Sequence, residues 1–107
     1  MKKEKAKVIK LTKQELPTFI TDFKKDNELK ESHIILDLLE IQDLEGKDLK
    51  DFVEISKHHS KKNKKSFVIV NKEITYGDIP NELNLTPSLQ EAYDIIEMED
   101  IQRDLGF

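Results

Sequence analysis

The sequence predicts an α/β fold: a mixed, mostly parallel sheet of four to five strands flanked by helices, forming one domain over residues 1–107. Three observations predict it. The runs "HIILDLLEI" and "SFVIV" are almost continuously apolar, as strands covered on both faces are. Around them lie segments whose apolar residues recur at i, i+3, i+4 and i+7, the spacing of a helix with one buried stripe. The two kinds of segment alternate, which implies right-handed crossovers and a largely parallel sheet.

Taken in order, "AKVIKLT" (6–12) is a short strand. Thr12 and Glu15 form a T-x-x-E capping box. Leu16, Phe19, Ile20 and Phe23 then mark an amphipathic helix of about three turns to near Asn27. Pro17 falls close to its start, where a missing N–H costs least, and Pro17 itself is the alternative first residue. "SHIILDLLEI" (32–41) is a doubly covered strand, followed by an acid-x-acid-Gly turn, Asp43-Leu44-Glu45-Gly46. Leu49, Phe52, Val53 and Ile55 give one side of a helix running to about Lys62, closed by Asn63 and the lysines. "SFVIV" (66–70) is a second buried strand, and 71–81, with Gly77 and Pro80, is a loop. "ELNLT" (82–86) is a short strand. Thr86-Pro87 offers an N-cap followed by proline at the first helical position. Leu89, Ala92, Tyr93 and Ile96 carry the last helix to near Asp104, where Gly106 stops it.

With 36% apolar and 37% charged residues and a net charge of −4, the chain suits a soluble globular domain with a heavily solvated surface. It has no cysteine, which excludes disulfides, thiolate nucleophiles and cysteine-ligated zinc or iron–sulfur centres, and fits a reducing compartment. "MKKEKAK" is charged but no apolar h-region follows it, and no stretch approaches the roughly 20 apolar residues of a membrane span. A cytoplasmic protein without signal peptide or membrane association is expected. The basic block "KHHSKKNKK" (57–65) sits at a helix C-terminus, where cations complement the dipole. No aromatic or arginine lies within it to stack on bases or read guanine, so a solvated helix end is favoured over a nucleic-acid patch.

The order "IILDLLEIQDLEG…KKNKKSFVIV" places an apolar strand ending in Asp-Leu before an Asp-x-x-Gly turn, a helix with a lysine-rich end and a short valine-rich strand. It is similar to the STAS domain, the fold of bacterial anti-sigma factor antagonists. The resemblance runs from about residue 33 to residue 96, ending in "TPSLQEAYDIIE"; before residue 30 the family's opening hairpin is reduced to one strand. That family switches on a phosphorylatable serine directly after the turn's aspartate. Asp43 matches the aspartate and Gly46 the glycine, but Leu44 and Glu45 occupy the hydroxyl positions. Leucine has no oxygen to phosphorylate, so the resemblance implies the turn's geometry without its switch. Glu45 is expected to meet backbone N–H groups at the helix N-terminus. The implied function is non-catalytic: a domain that binds another protein through Asp43, Leu44, Glu45, Gly46, Lys47 and the following helix, with no cofactor and no metal. The tail "PSLQEAYDIIEMEDIQRDLGF" also resembles a group of short Bacteroidetes proteins, some of which carry the name ribonuclease Z. That nuclease needs a His-x-His-x-Asp-His cluster and two metal ions. His33, His58 and His59 do not form it, so this likeness implies an accessory factor in RNA processing without nuclease activity of its own.

Other candidate residues have plainer readings. His58 and His59 diverge by about 100° on a helix and are expected to be exposed rather than to chelate together. His33 is expected to be a polar strand entry. Asp37 is expected to hydrogen-bond loop amides at its strand end rather than act as a base. Asp37, Asp43 and Glu45 at the carboxyl edge are weighed as an Mg2+ site and set aside, because nothing supplies a phosphate cradle. No serine has Ser-His-Asp logic around it. Core or loop packing is expected for Tyr76, Ile79 and Tyr93.

Overall fold

The computed structural model of the chain describes residues 6–25, 27–74 and 83–106. In chain order these form β1 (Ala6–Lys10), α1 (Leu16–Lys25), α2 (Asn27–Lys30), β2 (His33–Asp37), α3 (Phe52–Lys61), β3 (Phe67–Val70), β4 (Asn84–Thr86) and α4 (Leu89–Asp104). The strands lie in the order β1-β2-β3-β4 and all three pairings are parallel. The α/β architecture is therefore as expected. Among the described residues the sheet has the smaller of the expected strand numbers and contains no antiparallel pair. Parallel neighbours cannot be joined by a tight hairpin, and the β1–β2 and β2–β3 connections run through α1 and α3.

Alternation along the strands divides the core in two. Ile34, Leu36, Phe67, Ile69 and Leu85 face one side with Leu16, Phe19 and Phe23 of α1 and Phe52 and Ile55 of α3. Phe52 and Phe67 pack at a 6.2 Å ring-centroid distance, as do Phe23 and Phe67, joining both helices to β3. Ile35, Val68 and Val70 face the other side, where Ala92 and Ile96 of α4 cover them. This double burial explains why β2 and β3 are continuously apolar.

Helix entry depends on local chemistry. The Thr12 N–H donates to Glu15 Oε1 at 2.8 Å, the backward half of the expected capping box. A 3-10 turn at Lys13–Glu15 precedes α1, so Pro17 falls in the first helical turn, where its missing N–H breaks nothing. The strand expected to reach Ile41 ends at Asp37: Asp37 Oδ1 accepts the Leu39 N–H at 3.1 Å, turning the chain out of the sheet. The residues after Gly46 make a 3-10 turn, Gly46–Leu49, rather than opening the helix, which starts at Phe52. Thr86 is the last residue of β4, not an N-cap. Ser88 takes that role, its side chain accepting the Glu91 N–H at 3.2 Å. At the other end Gly106 adopts φ +83°, the left-handed stop. The expected loop lies from residue 75 outside the described residues, and Tyr76 and Ile79 with it. No helix among the described residues is long and apolar enough to cross a membrane.

Candidate protein-binding site

The loops after β1, β2 and β3 meet at the carboxyl end of the sheet. Leu38, Ile41 and Leu44 follow β2 at a spacing of three, and all three are buried in the α1/α3 side of the core. The loop thus lies along the core with Leu44 as its last anchor, 6% exposed. On either side of that anchor the chain is charged and solvated. The Asp43 side chain is 80% exposed, and Glu45 and Lys47, also exposed, pair with each other at 3.1 Å.

Two devices hold this corner. From below, the buried Asn71 donates through Nδ2 to the Leu38 carbonyl at 2.8 Å and the Ile41 carbonyl at 3.3 Å. Its Oδ1 accepts the N–H groups of Glu73 and Ile74 at 2.8 and 3.1 Å, and its backbone N–H donates to Thr86. One amide side chain therefore uses both donors and both lone pairs to tie two loops together. From the side, Lys13 Nζ donates to the Asp43 carbonyl at 3.2 Å and lies 3.4 Å from Asp43 Oδ2 and 3.5 Å from Asp48 Oδ2. Desolvation opposes its charge, but the hydrogen bond and charge of Asp43, then those of Asp48, hold the Lys13 ammonium above its ordinary range.

No family model, curated protein or solved structure matches this chain.

Of the five residues singled out in the sequence, three present charge to solvent: Asp43, Glu45 and Lys47. Leu44 is a core residue, so its side chain serves the fold. Glu45 stands at the N-cap of the 3-10 turn in a capping box with Asp48, which accepts the Glu45 N–H at 2.9 Å, and the Glu45 carboxylate also pairs with Lys47. Beside the corner, an open cleft of about 720 Å3 runs between the loops after β1 and β2, with Leu11 and Ile41 apolar and Lys10, Lys13, Glu40 and Asp43 charged. Lys10 and Glu40 pair at 3.4 Å. Asp37 does what was expected of it, bonding a loop amide. Among the described residues no three of His, Asp and Glu converge to hold a metal ion, and that includes Asp37, Asp43 and Glu45.

A second polar cluster, at the amino end of the sheet, escaped the sequence reading. His33 and His59 are fully buried rather than a strand-entry residue and an exposed helix end. His59 Nε2 lies 2.7 Å from the Ser32 carbonyl and its Nδ1 is 3.0 Å from Asn63 Nδ2. A carbonyl can only accept and an amide nitrogen only donate, so the ring is neutral with its proton on Nε2. Burial pushes the imidazole below its usual range. The Ser32 carbonyl opposes that shift, while His33, Arg103 and Lys65 add to it. His33 Nδ1 accepts the Ser66 N–H at 2.9 Å, and its Nε2 is 3.2 Å from Asp100 Oδ2. Ser66 Oγ donates to Glu99 Oε1 and accepts from Arg103, which also binds Asp100 at 3.1 Å. Serine, histidine and aspartate are thus gathered, but not as a nucleophile relay. The ring nitrogen that would have to take the hydroxyl proton already accepts a backbone N–H, and the hydroxyl points to Glu99. The cluster joins α4 to the starts of β2, β3 and β4. The signal for His59 was present: Phe52, Ile55, Ser56 and His59 repeat at i, i+3, i+4 and i+7.

Proposed function

We propose that the chain is a non-catalytic protein-interaction domain of the STAS kind, which docks another protein through the Asp43–Lys47 corner and the adjoining α3. One observation supports this most: exposed charges at Asp43, Glu45 and Lys47 stand on a loop whose intervening residue, Leu44, is sunk in the core. Such a loop is already ordered before it meets a partner, so binding does not cost the entropy of fixing it. The all-parallel sheet and the Asp-x-x-Gly turn at its carboxyl edge suit the resemblance to anti-sigma factor antagonists. Leu44 replaces the family's serine with a side chain that cannot be phosphorylated, so docking here is constitutive.

Affinity capture from the native host, comparing the wild-type chain with an Asp43→Lys/Glu45→Lys double variant, tests the reading. The expected result is a protein recovered by the first and lost from the second, with the bait still folded by circular dichroism. Identical captures by both baits would overturn it, as would catalytic turnover by the pure chain. Cleavage or salt-sensitive binding of pre-tRNA would instead favour the RNA-processing alternative.

A further inference from the structure

α4 carries apolar side chains on two opposite faces. Ala92 and Ile96 bury against the sheet, with Leu89 and Ile95 partly buried beside them. At about 100° per residue, Met98, Ile101 and Leu105 fall within a sector of about 60° centred roughly opposite that buried face. They are 59%, 54% and 65% exposed, and Tyr93, expected to pack, is 45% exposed. Apart from Val8, these are the exposed large hydrophobic residues among the described ones. A soluble helix normally keeps its outer face polar, and a clustered apolar surface with a polar rim marks an interaction site.

The charge of the rim says what fits. Glu91, Asp94, Glu97 and Asp104 are exposed around the stripe. The helix has a single base, Arg103, and it turns under to Glu99, Asp100 and Ser66. Asp104 stands in the last turn, where the helix dipole disfavours an anion, so its presence works against the helix itself. A second copy does not complement this surface: α4 against α4 would oppose acid to acid. The basic end of α3 has no large exposed apolar side chain among its described residues. An anionic bilayer is repelled by the same carboxylates.

We propose that the outer face of α4 docks a basic amphipathic helix from another protein. Met98, Ile101 and Leu105 stand at i, i+3 and i+7, the spacing by which one helix lays anchors along another. The partner's apolar residues cover them while its lysines or arginines meet Asp94 and Asp104. The 16 residues of α4 span about 24 Å, room for about four turns of such a helix. This surface is separate from the Asp43–Lys47 corner and stands whether or not the corner docks anything.

The test uses a fluorescent Leu/Lys amphipathic helical peptide of about 18 residues and reads anisotropy with the intact chain. Saturable one-to-one binding is expected, with Kd raised roughly tenfold or more by Ile101→Ser/Leu105→Ser, which leaves every charge in place. Asp94→Lys/Asp104→Lys should weaken binding equally while leaving thermal stability unchanged or higher, the opposite of what a purely structural role requires. Asp43→Lys/Glu45→Lys should bind the peptide as the wild type does. Equal affinity for the Ile101→Ser/Leu105→Ser variant would reduce the effect to bulk charge and overturn the proposal. Equal binding of a Leu/Glu peptide, a concentration-dependent dimer, or co-flotation of the chain with phosphatidylcholine or phosphatidylserine vesicles would each overturn it as well.

Discussion

Replacing Asn71 by alanine removes four side-chain hydrogen bonds at once from a residue that is 2% exposed. Two run from Nδ2 to the carbonyls of Leu38 and Ile41, and two run to Oδ1 from the N–H groups of Glu73 and Ile74. Each is worth about 1 kcal/mol net, and a buried group left unpaired costs about 1–3 kcal/mol. The 3.3 Å bond to Ile41 is the weakest, and water entering between the loops recovers part of the loss. The expected destabilisation is about 3 kcal/mol, or roughly 10–20 °C in Tm for a domain of this size. Urea unfolding followed by circular dichroism measures it. Hydrogen exchange should also accelerate at Glu73 and Ile74, whose amides lose their acceptor. Asn71→Asp should be worse than alanine at neutral pH, because it sets a carboxylate oxygen against two carbonyls, and should recover as acid protonates it. A loss below about 1 kcal/mol for Asn71→Ala, with unchanged exchange, would refute the claim that this residue holds the loops together.

Leu44→Ser should cost about 3 kcal/mol, the size of a truncated core leucine. A neutral effect in urea unfolding would show that Leu44 is not an anchor. His59 binds its proton less readily folded than unfolded, so its contribution to stability is complete above the unfolded value near 6.5. It declines as pH falls below that value, until the folded-state imidazole itself titrates. Unfolding midpoints measured from about pH 7.5 to 5 should therefore fall toward acid, and His59→Gln should flatten that slope. Lys64 holds φ +59° three residues past the end of α3. Lys64→Gly should raise stability by about 1 kcal/mol by relieving the left-handed penalty, and a lowered Tm would count against it.

β2 and β3 are legible because burial on both faces leaves no polar position in Ile34–Leu36 or Phe67–Val70. The stripe of α1 is legible because Leu16, Phe19 and Phe23 repeat at helical spacing. What escapes is set by contacts between distant segments. Asn71 reads as a turn residue until Leu38 and Ile41 are brought above it. His33 reads as a polar strand start until Asp100 and Ser66 meet it across about thirty residues or more. His59 was recoverable, since it continues the Phe52, Ile55, Ser56 stripe, but adjacency to His58 directs attention to metal spacing instead. Leu44 was recoverable too: Leu38, Ile41 and Leu44 at intervals of three mark a loop lying on the core. The end of β2 was misplaced because Leu38 and Ile41 are as buried as the strand before them, and burial alone does not distinguish a strand from a packed loop. Tyr93 was misplaced because α4 is apolar on both faces, which blurs the single stripe that periodicity reads.

The most direct test of the proposed docking at Asp43–Lys47 is hydrogen–deuterium exchange on the chain alone and bound to a protein recovered in the capture experiment. Exchange should slow across Asp43–Lys47 and the first turns of α3, with the amides below them already slow in the free chain. A bound complex that leaves those residues unchanged, or a corner that exchanges freely before binding, would contradict the account.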